Sequence, residues 1–342
     1  MFRRVVGSKL SVIDARPFLD HGTHATAISN ELRKVGAETG FFYLQHNIPP
    51  AVINLAVGKL KEFFALPLEE KMKIHVSKQA GFRGYSSFYE QGTYGVDLTD
   101  ARVDSESPSS QTSPDNTMDH KEVYHMGTEL SPTHRHYHAD LFAENVFPRN
   151  VIGFEPALRL YYSAVLEVSN KVFSLLAMSF GLHPDYFRPL THEGMDSMNC
   201  IHYPPFADPQ SKPTQMGIGA HTDFECFTLL WQQPDGPQSL DIYMDGEWCP
   251  VPPIEGTFVV NIGDMLARWT NNHLRSTVHR SRVHPTQDRY SIAFFRACNY
   301  DTPLSCLVPN ESPKYPTVSA GEHLLHRIAV ANSGWKETSQ KA

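Results

Sequence analysis

Apolar residues recur at two periods along this chain, and the change from one to the other divides it. Up to position 75, short apolar runs alternate with helical spacing. Residues 10–13 form a brief apolar run; Ala25, Ile28, Leu32 and Val35 then fall at intervals of three and four until Gly40, which predicts a strand and an amphipathic helix. Residues 41–44 form a second β-prone run. A further helix is predicted over 50–64, with Val52, Leu55, Leu60 and Phe63 as its buried stripe and Pro67 beyond its end. The longest helix is expected within 152–182, where Phe154, Leu158, Tyr161, Val165, Val168, Val172 and Leu176 keep the same spacing as far as Gly181. Beyond Gly194 the texture changes to short β-rich segments at 198–203, 227–232, 240–243, 257–262, 277–283 and 290–296. Turn clusters such as Pro234-Asp235-Gly236-Pro237, Met244-Asp245-Gly246-Glu247 and Asn271-Asn272-His273 separate them, the signature of a sandwich or barrel. Between 93 and 116 almost no apolar anchor remains, and a mobile surface loop is expected there in preference to an ordered lid. The expected organisation is an N-terminal mixed α/β module over 1–150, a long helix with a β core over 151–310, and a helical tail over 311–342.

Composition narrows the function. The 342 residues are 41% hydrophobic and carry a formal net charge of −7, so the chain is a globular protein without the basic excess that binding to nucleic acid requires. No run approaches 18 apolar residues, which argues against a membrane span, and the opening Met1-Phe2-Arg3-Arg4 leads into no signal-peptide core. The five cysteines are scattered, odd in number and free of CxxC spacing; a reducing, cytoplasmic setting is expected, with the chain acting as a monomer. Eighteen histidines raise the prospect of a metal without locating it.

The location comes from His221-Thr222-Asp223, read as the start of a strand, where residues two apart share a face. His279 lies in another alternating segment that can pair beside it. Two imidazoles and one carboxylate on one side of a metal leave three positions open, an arrangement suited to Fe(II) oxygen chemistry. Ten residues past His279, Arg289-Tyr290-Ser291 again places two residues on one face: a guanidinium fork and a hydroxyl able to hold a carboxylate.

With these elements the chain resembles the Fe(II)/2-oxoglutarate-dependent oxygenases of the isopenicillin N synthase type. The resemblance extends over about 10–309. It rests on Val12-Ile13-Asp14, Gly40-Phe41-Phe42, Phe63-Phe64-Ala65-Leu66-Pro67 and Glu69-Glu70-Lys71, then on 145–148, Tyr203-Pro204-Pro205, His221-Thr222-Asp223, Gly263-Asp264, Thr270-Asn271, 276–280 and Arg289-Tyr290-Ser291, in the family's order. It implies a mainly β fold, a double-stranded β-helix (jelly roll) with flanking α-helices and a helical N-terminal module. It implies Fe(II) on His221, Asp223 and His279, and 2-oxoglutarate with its far carboxylate on Arg289 and Ser291 and with Tyr203 as a further donor. It also implies O2 as co-reactant, succinate as a product, and oxidation of a small-molecule substrate by hydroxylation, desaturation or oxidative cyclisation. Two departures stand out. Gln45-His46-Asn47-Ile48 replaces the family's Asn-His-Gly-Ile, and Asn199 stands where relatives often carry a basic residue.

Asn199 shares a strand face with Ile201 and Tyr203 and is a candidate substrate contact, alongside Arg83 and Tyr85 of Phe82-Arg83-Gly84-Tyr85 and the pocket-lining candidate Phe295. Arg83 suits a substrate that bears a carboxylate. Thr133-His134-Arg135-His136-Tyr137-His138 has three histidines at spacing two but no carboxylate tied to them, and is set aside as a metal site. Asp119-His120-Lys121-Glu122 reads as structural. Two alternatives stay open on the residues alone: an Fe(II) oxidase of the same family that needs no 2-oxoglutarate, and a cupin-like metal-binding protein or zinc hydrolase.

Overall fold

The β-rich segments pair into two mainly antiparallel sheets in the computed structural model, which describes residues 3–4, 9–79, 81–88, 119–137, 141–206 and 216–339, with 3–4 and 332–339 described by backbone alone. The first half contains β1 (Arg3–Arg4), β2 (Ser11–Asp14), α1 (Arg16–His21), α2 (Ala25–Glu38), β3 (Phe41–Gln45), α3 (Pro50–Phe64), α4 (Leu68–Lys71), β4 (Gly84–Ser86), β5 (Glu122–Gly127) and α5 (Phe154–Ser179). The second contains α6 (Arg188–Thr191), β6 (Ser197–Tyr203), β7 (Met216–His221), β8 (Phe227–Gln232), β9 (Leu240–Met244), β10 (Glu247–Pro250), β11 (Thr257–Ile262), α7 (Asp264–Trp269), β12 (His279–Arg282), β13 (Arg289–Arg296) and α8 (Ala320–Ser339). The larger sheet runs β1-β2-β3-β11-β8-β13-β6-β5-β4 and the smaller β10-β9-β12-β7.

Because side chains alternate along a strand, the central strands of the larger sheet present different residues to its two faces. Leu44, Cys200, Leu229, Val260, Ile292 and Phe294 face outward and pack with Leu32 of α2, Phe63 of α3 and Tyr161 and Val165 of α5. The inward face presents Tyr43 and Val259 to Leu240, Ile242 and Met244 of the smaller sheet. The result is a jelly roll with helices over the outer face of its larger sheet, and a functional site can form only where the two sheets leave room between them.

Local pattern and observed elements agree closely for α3, β8 and β11, whose bounds are the predicted ones. The stripe of α3 is turned from the one predicted: Ile53, Ala56, Leu60, Phe63 and Phe64 are buried, whereas Leu55 is 46% exposed. The hairpin between β9 and β10 turns on Asp245 and Gly246, both at positive φ, as a two-residue turn with the twist of its strands demands. The expected boundary near 150 does not separate two cores. β2 and β3 extend the larger sheet beyond β11, β5 and β4 extend its other side, and Ile13, Phe63 and Phe227 share one cluster. β5 lacked an apolar pattern because its charges are internally paired: all six residues are buried, with Glu122 bonded to Lys71, Tyr85 and His202. The segment 93–116 lies outside the described residues.

Candidate active site

β7 and β12 pair so that His221 stands opposite His279, and the chain leaving β7 brings Asp223 to the same point. His221 therefore ends a strand; the expectation that it begins one is corrected, and Asp223 sits in the turn that follows. One donor atom from each residue lies within 4.8 Å of the others, the only such group of His, Cys, Asp or Glu among the described residues. The surrounding bonds select which atoms these are. Nδ1 of His221 donates to the Gly219 carbonyl at 2.8 Å and Nδ1 of His279 to that of Thr277 at 3.1 Å, which leaves both Nε2 atoms facing the centre. Oδ2 of Asp223 accepts from the Thr228 hydroxyl and, at 2.6 Å, from Asn261 Nδ2, while Oδ1 faces the two Nε2 atoms at 3.5 and 3.6 Å. Burial pushes His279 down to about 4, so it is neutral and its lone pair is free. Burial alone raises the Asp223 carboxyl, but the facing histidines and Asn261 hold it well below its ordinary value. An anionic oxygen and two imidazole nitrogens on one side of a point are the donor set a divalent first-row ion takes. Thr228 and Asn261 were not singled out from sequence. The available signal was a polar residue inside each of two otherwise apolar strands.

A second polar cluster lies at the start of β13. Arg289, 3% exposed, donates through Nη1 to Ser281 Oγ at 3.2 Å and through Nη2 to Gln232 Oε1 at 3.1 Å, and its guanidinium carbon lies 4.7 Å from the centre of the Tyr203 ring. Ser291 Oγ is buried and has no hydrogen-bond partner among the described residues. A buried cation whose fork retains free N–H groups, beside an unsatisfied hydroxyl, fits a carboxylate guest.

The strand register carries the inward face from this cluster toward His221, Asp223 and His279. Ser291 pairs with Gln232, Ala293 with Leu230 and Phe295 with Thr228, the residue bonded to Asp223, so Phe295 stands at the Asp223 end. Asn199 pairs with Ala293 and His125, is partly exposed, and its Oδ1 accepts from Nδ1 of His125 at 2.8 Å. Burial pushes His125 down to about 3, so its other nitrogen, Nε2, accepts from the Ser86 hydroxyl at 2.9 Å. His125 and Ser86 escaped sequence reading because neither belongs to a recognisable motif. Two expected substrate contacts are corrected. Tyr85 faces the helical core and donates its hydroxyl to Glu122 at 2.8 Å, on the far side of the sheet from Asn199. Arg83 is 3% exposed and donates to the carbonyls of Phe82, Thr128 and Leu141, so it ties loops together where a substrate-facing cation was expected. His134 and His136 are taken up by Glu193 at 3.2 Å and Asp301 at 2.7 Å; His138 lies outside the described residues.

Known proteins share this arrangement along nearly the whole chain. Residues 194–297 match the profile of the 2OG-Fe(II) oxygenase superfamily, and residues 10–150 match that of the non-haem dioxygenase in morphine synthesis N-terminal region. A 2-oxoglutarate-Fe(II) type oxidoreductase from Emericella nidulans is 33% identical over 90% of this chain and 86% of its own length. Clavatol oxidase from Penicillium crustosum is 31% identical over 94% of this chain and 96% of its own. The crystal structure of a full-length Neurospora crassa protein in complex with alpha-KG superposes with a TM-score of 0.75 at 26% identity, covering 96% of this chain and 100% of that one. With the His221, Asp223 and His279 triad and the buried Arg289 and Ser291 side chains in place on a jelly roll, this chain belongs to the 2OG-Fe(II) oxygenase superfamily and is an Fe(II)/2-oxoglutarate-dependent dioxygenase of small-molecule metabolites.

Proposed function

We propose that His221, Asp223 and His279 hold the Fe(II), that Arg289 and Ser291 hold the far carboxylate of 2-oxoglutarate with Tyr203 packed beside them, and that the prime substrate lies over Asn199 and Phe295. The observation that carries this reading is the convergence of Nε2, Nε2 and Oδ1 within 4.8 Å while the remaining polar atoms of the same three side chains are bonded elsewhere. Bound Fe(II) with 2-oxoglutarate and O2 supplies the oxidising power, releasing succinate and carbon dioxide. The protein's share is orientation. Thr228 and Asn261 keep one carboxylate oxygen of Asp223 from turning away, and Gln232 and Ser281 hold the Arg289 fork in plane.

Asn199 defines the substrate class. Its Oδ1 is occupied by His125, so its amide N–H groups are what it offers, and they suit a carbonyl or carboxylate on the substrate. Five free cysteines suit a reducing cytoplasm, where the protein is taken to act as a monomer, and no helix among the described residues is long and apolar enough to cross a membrane. The test is anaerobic loading with Fe(II), followed by succinate measurement against 2-oxoglutarate with a panel of carbonyl- and carboxylate-bearing metabolites. Succinate in step with oxidised product is expected, and product formed without succinate would overturn the cosubstrate assignment.

A further inference from the structure

The turn that carries Asp223 is gripped from behind by the C-terminal helix. Thr222, between the two ligands, is 3% exposed and directs its Oγ1 to Asp264 Oδ2 at 3.1 Å. Nη2 of Arg327, on α8, reaches the same oxygen at 2.7 Å and Thr222 Oγ1 at 3.4 Å. The backbone N–H of Asp264, at the start of α7, donates to the Asp223 carbonyl at 2.8 Å, and that of Met265 to the Phe224 carbonyl at 3.2 Å. Gly263 permits this close approach, because a Cβ there would come within 2.2 Å of the Glu225 carbonyl oxygen. Phe224, on the other side of Asp223, lies with its ring centre 5.0 Å from the Arg327 guanidinium. Ala320, His323, Leu324 and Arg327 share one face of α8 by their three-four spacing.

We propose that Arg327 is a positioning residue for the iron: through Asp264 and Thr222 it fixes the turn that presents Asp223, so metal affinity depends on a side chain 105 positions away in sequence. The inference rests on the ligand assignment given above. Asp264 is 3% exposed, and the Arg327 guanidinium is its paired counter-charge. Without Arg327 that buried carboxylate stands unpaired, and the simplest relief is to open the network toward water. Thr222 is then no longer held. Simple electrostatics acts in the opposite direction, since removing a cation near a metal site strengthens the attraction for a divalent ion. The sign of the change therefore separates positioning from charge.

The experiment titrates Fe(II) anaerobically into the full-length apo protein, reading affinity by competition with a chromophoric chelator, so no turnover is involved. Arg327→Met keeps the apolar stem and should weaken Fe(II) by about 10- to 100-fold, the usual cost of losing a residue that orients a metal ligand. Arg327→Lys, with charge but no fork, should fall between it and wild type. Leu324→Ala loosens the same helix through its apolar contact and should lower the melting temperature while leaving the Fe(II) affinity of the folded protein unchanged. Unchanged or tighter binding in Arg327→Met, or an equal loss in Leu324→Ala, overturns the proposal. Asp223→Ala in the same titration separates the two claims. Loss of iron there with normal Arg327→Met removes only the brace, whereas wild-type affinity in Asp223→Ala removes the ligand assignment beneath it.

Discussion

Replacing Arg289 by Lys and, separately, Ser291 by Ala should weaken 2-oxoglutarate in both cases but move the stability of the ligand-free protein in different ways. Arg289 already commits two N–H groups to Ser281 and Gln232, and the rest of its fork remains for a guest. Lysine cannot satisfy both neighbours and a carboxylate together. The loss of one charge-assisted bond, about 1.5 to 3 kcal/mol, corresponds to roughly tenfold to more than a hundredfold in affinity. Ser291→Ala removes one neutral donor, about 0.5 to 1.5 kcal/mol or roughly two- to twelvefold. Because Ser291 Oγ is bonded to no described residue, its removal costs the ligand-free protein nothing and relieves any desolvation it carried. The assay is the melting temperature with Fe(II) under anaerobic conditions, with and without 2-oxoglutarate. At a ligand concentration of about 100 times its Kd, binding adds about 2.7 kcal/mol. For 342 residues at about 2.1 cal/mol/K each, that is a rise of about 4 °C, falling to about 2 °C after a tenfold loss of affinity. Ser291→Ala should melt at or slightly above wild type without ligand and gain less with it. A wild-type ligand shift in Arg289→Lys refutes the reasoning. So does a drop of several degrees in ligand-free Ser291→Ala, since the hydroxyl would then be bonded within the protein.

Three further expectations concern the sheet behind the pocket. His125→Phe frees Asn199 and should lower substrate-stimulated succinate formation by about five- to tenfold, near 1 kcal/mol for a buried neutral hydrogen bond, with the 2-oxoglutarate melting shift intact; loss of that shift would place His125 in the cosubstrate pocket. The same variant should flatten the dependence of stability on pH. His125 is held neutral to about 3 in the folded protein but has an ordinary value of 6.5 when unfolded, so between these values the unfolded chain binds the extra proton and stability falls as pH drops. Its share approaches about 1.4 kcal/mol per pH unit, and identical slopes for variant and wild type between pH 6 and 4.5 would contradict it. Lys71→Met removes the ammonium partner of the buried Glu122 carboxylate, leaving it only Tyr85 and His202, and should cost about 3 kcal/mol in denaturant unfolding while Fe(II) affinity is retained; a loss below about 1 kcal/mol would show that these two suffice.

The reach of local pattern is clearest where it succeeded. Apolar runs and their end signals placed the bounds of α3, β8 and β11 to the residue, because an element's extent is set by neighbours on its own segment, whereas the buried face of α3 was set by what packs on it. The candidate metal and cosubstrate residues could be proposed for a related reason: His221, Asp223, Arg289 and Ser291 sit in short motifs whose chemistry is carried by residue type and close spacing. The same locality misled at Tyr85. It is one residue from Gly84, yet alternation on β4 turns it to the helical core, and only the pairing of β4 with β5 determines which face is which. Arg83 failed as a substrate contact because its partners, Thr128 and Leu141, come from segments that sequence does not tie to it. His125 and Ser86 meet Asn199 only because β4, β5 and β6 are adjacent in the sheet, and Arg327 meets Thr222 only because α8 folds back over α7. By itself, then, the sequence indicated the longer helices and the central strands, the residue types able to bind a metal and an acid, and the family they compose. The tertiary structure alone decided which oxygen of Asp223 faces the two histidine Nε2 atoms, which polar groups surround Asn199 and what packs behind the turn that carries Asp223, because those depend on contacts between segments far apart in the chain, which no local period or short motif encodes.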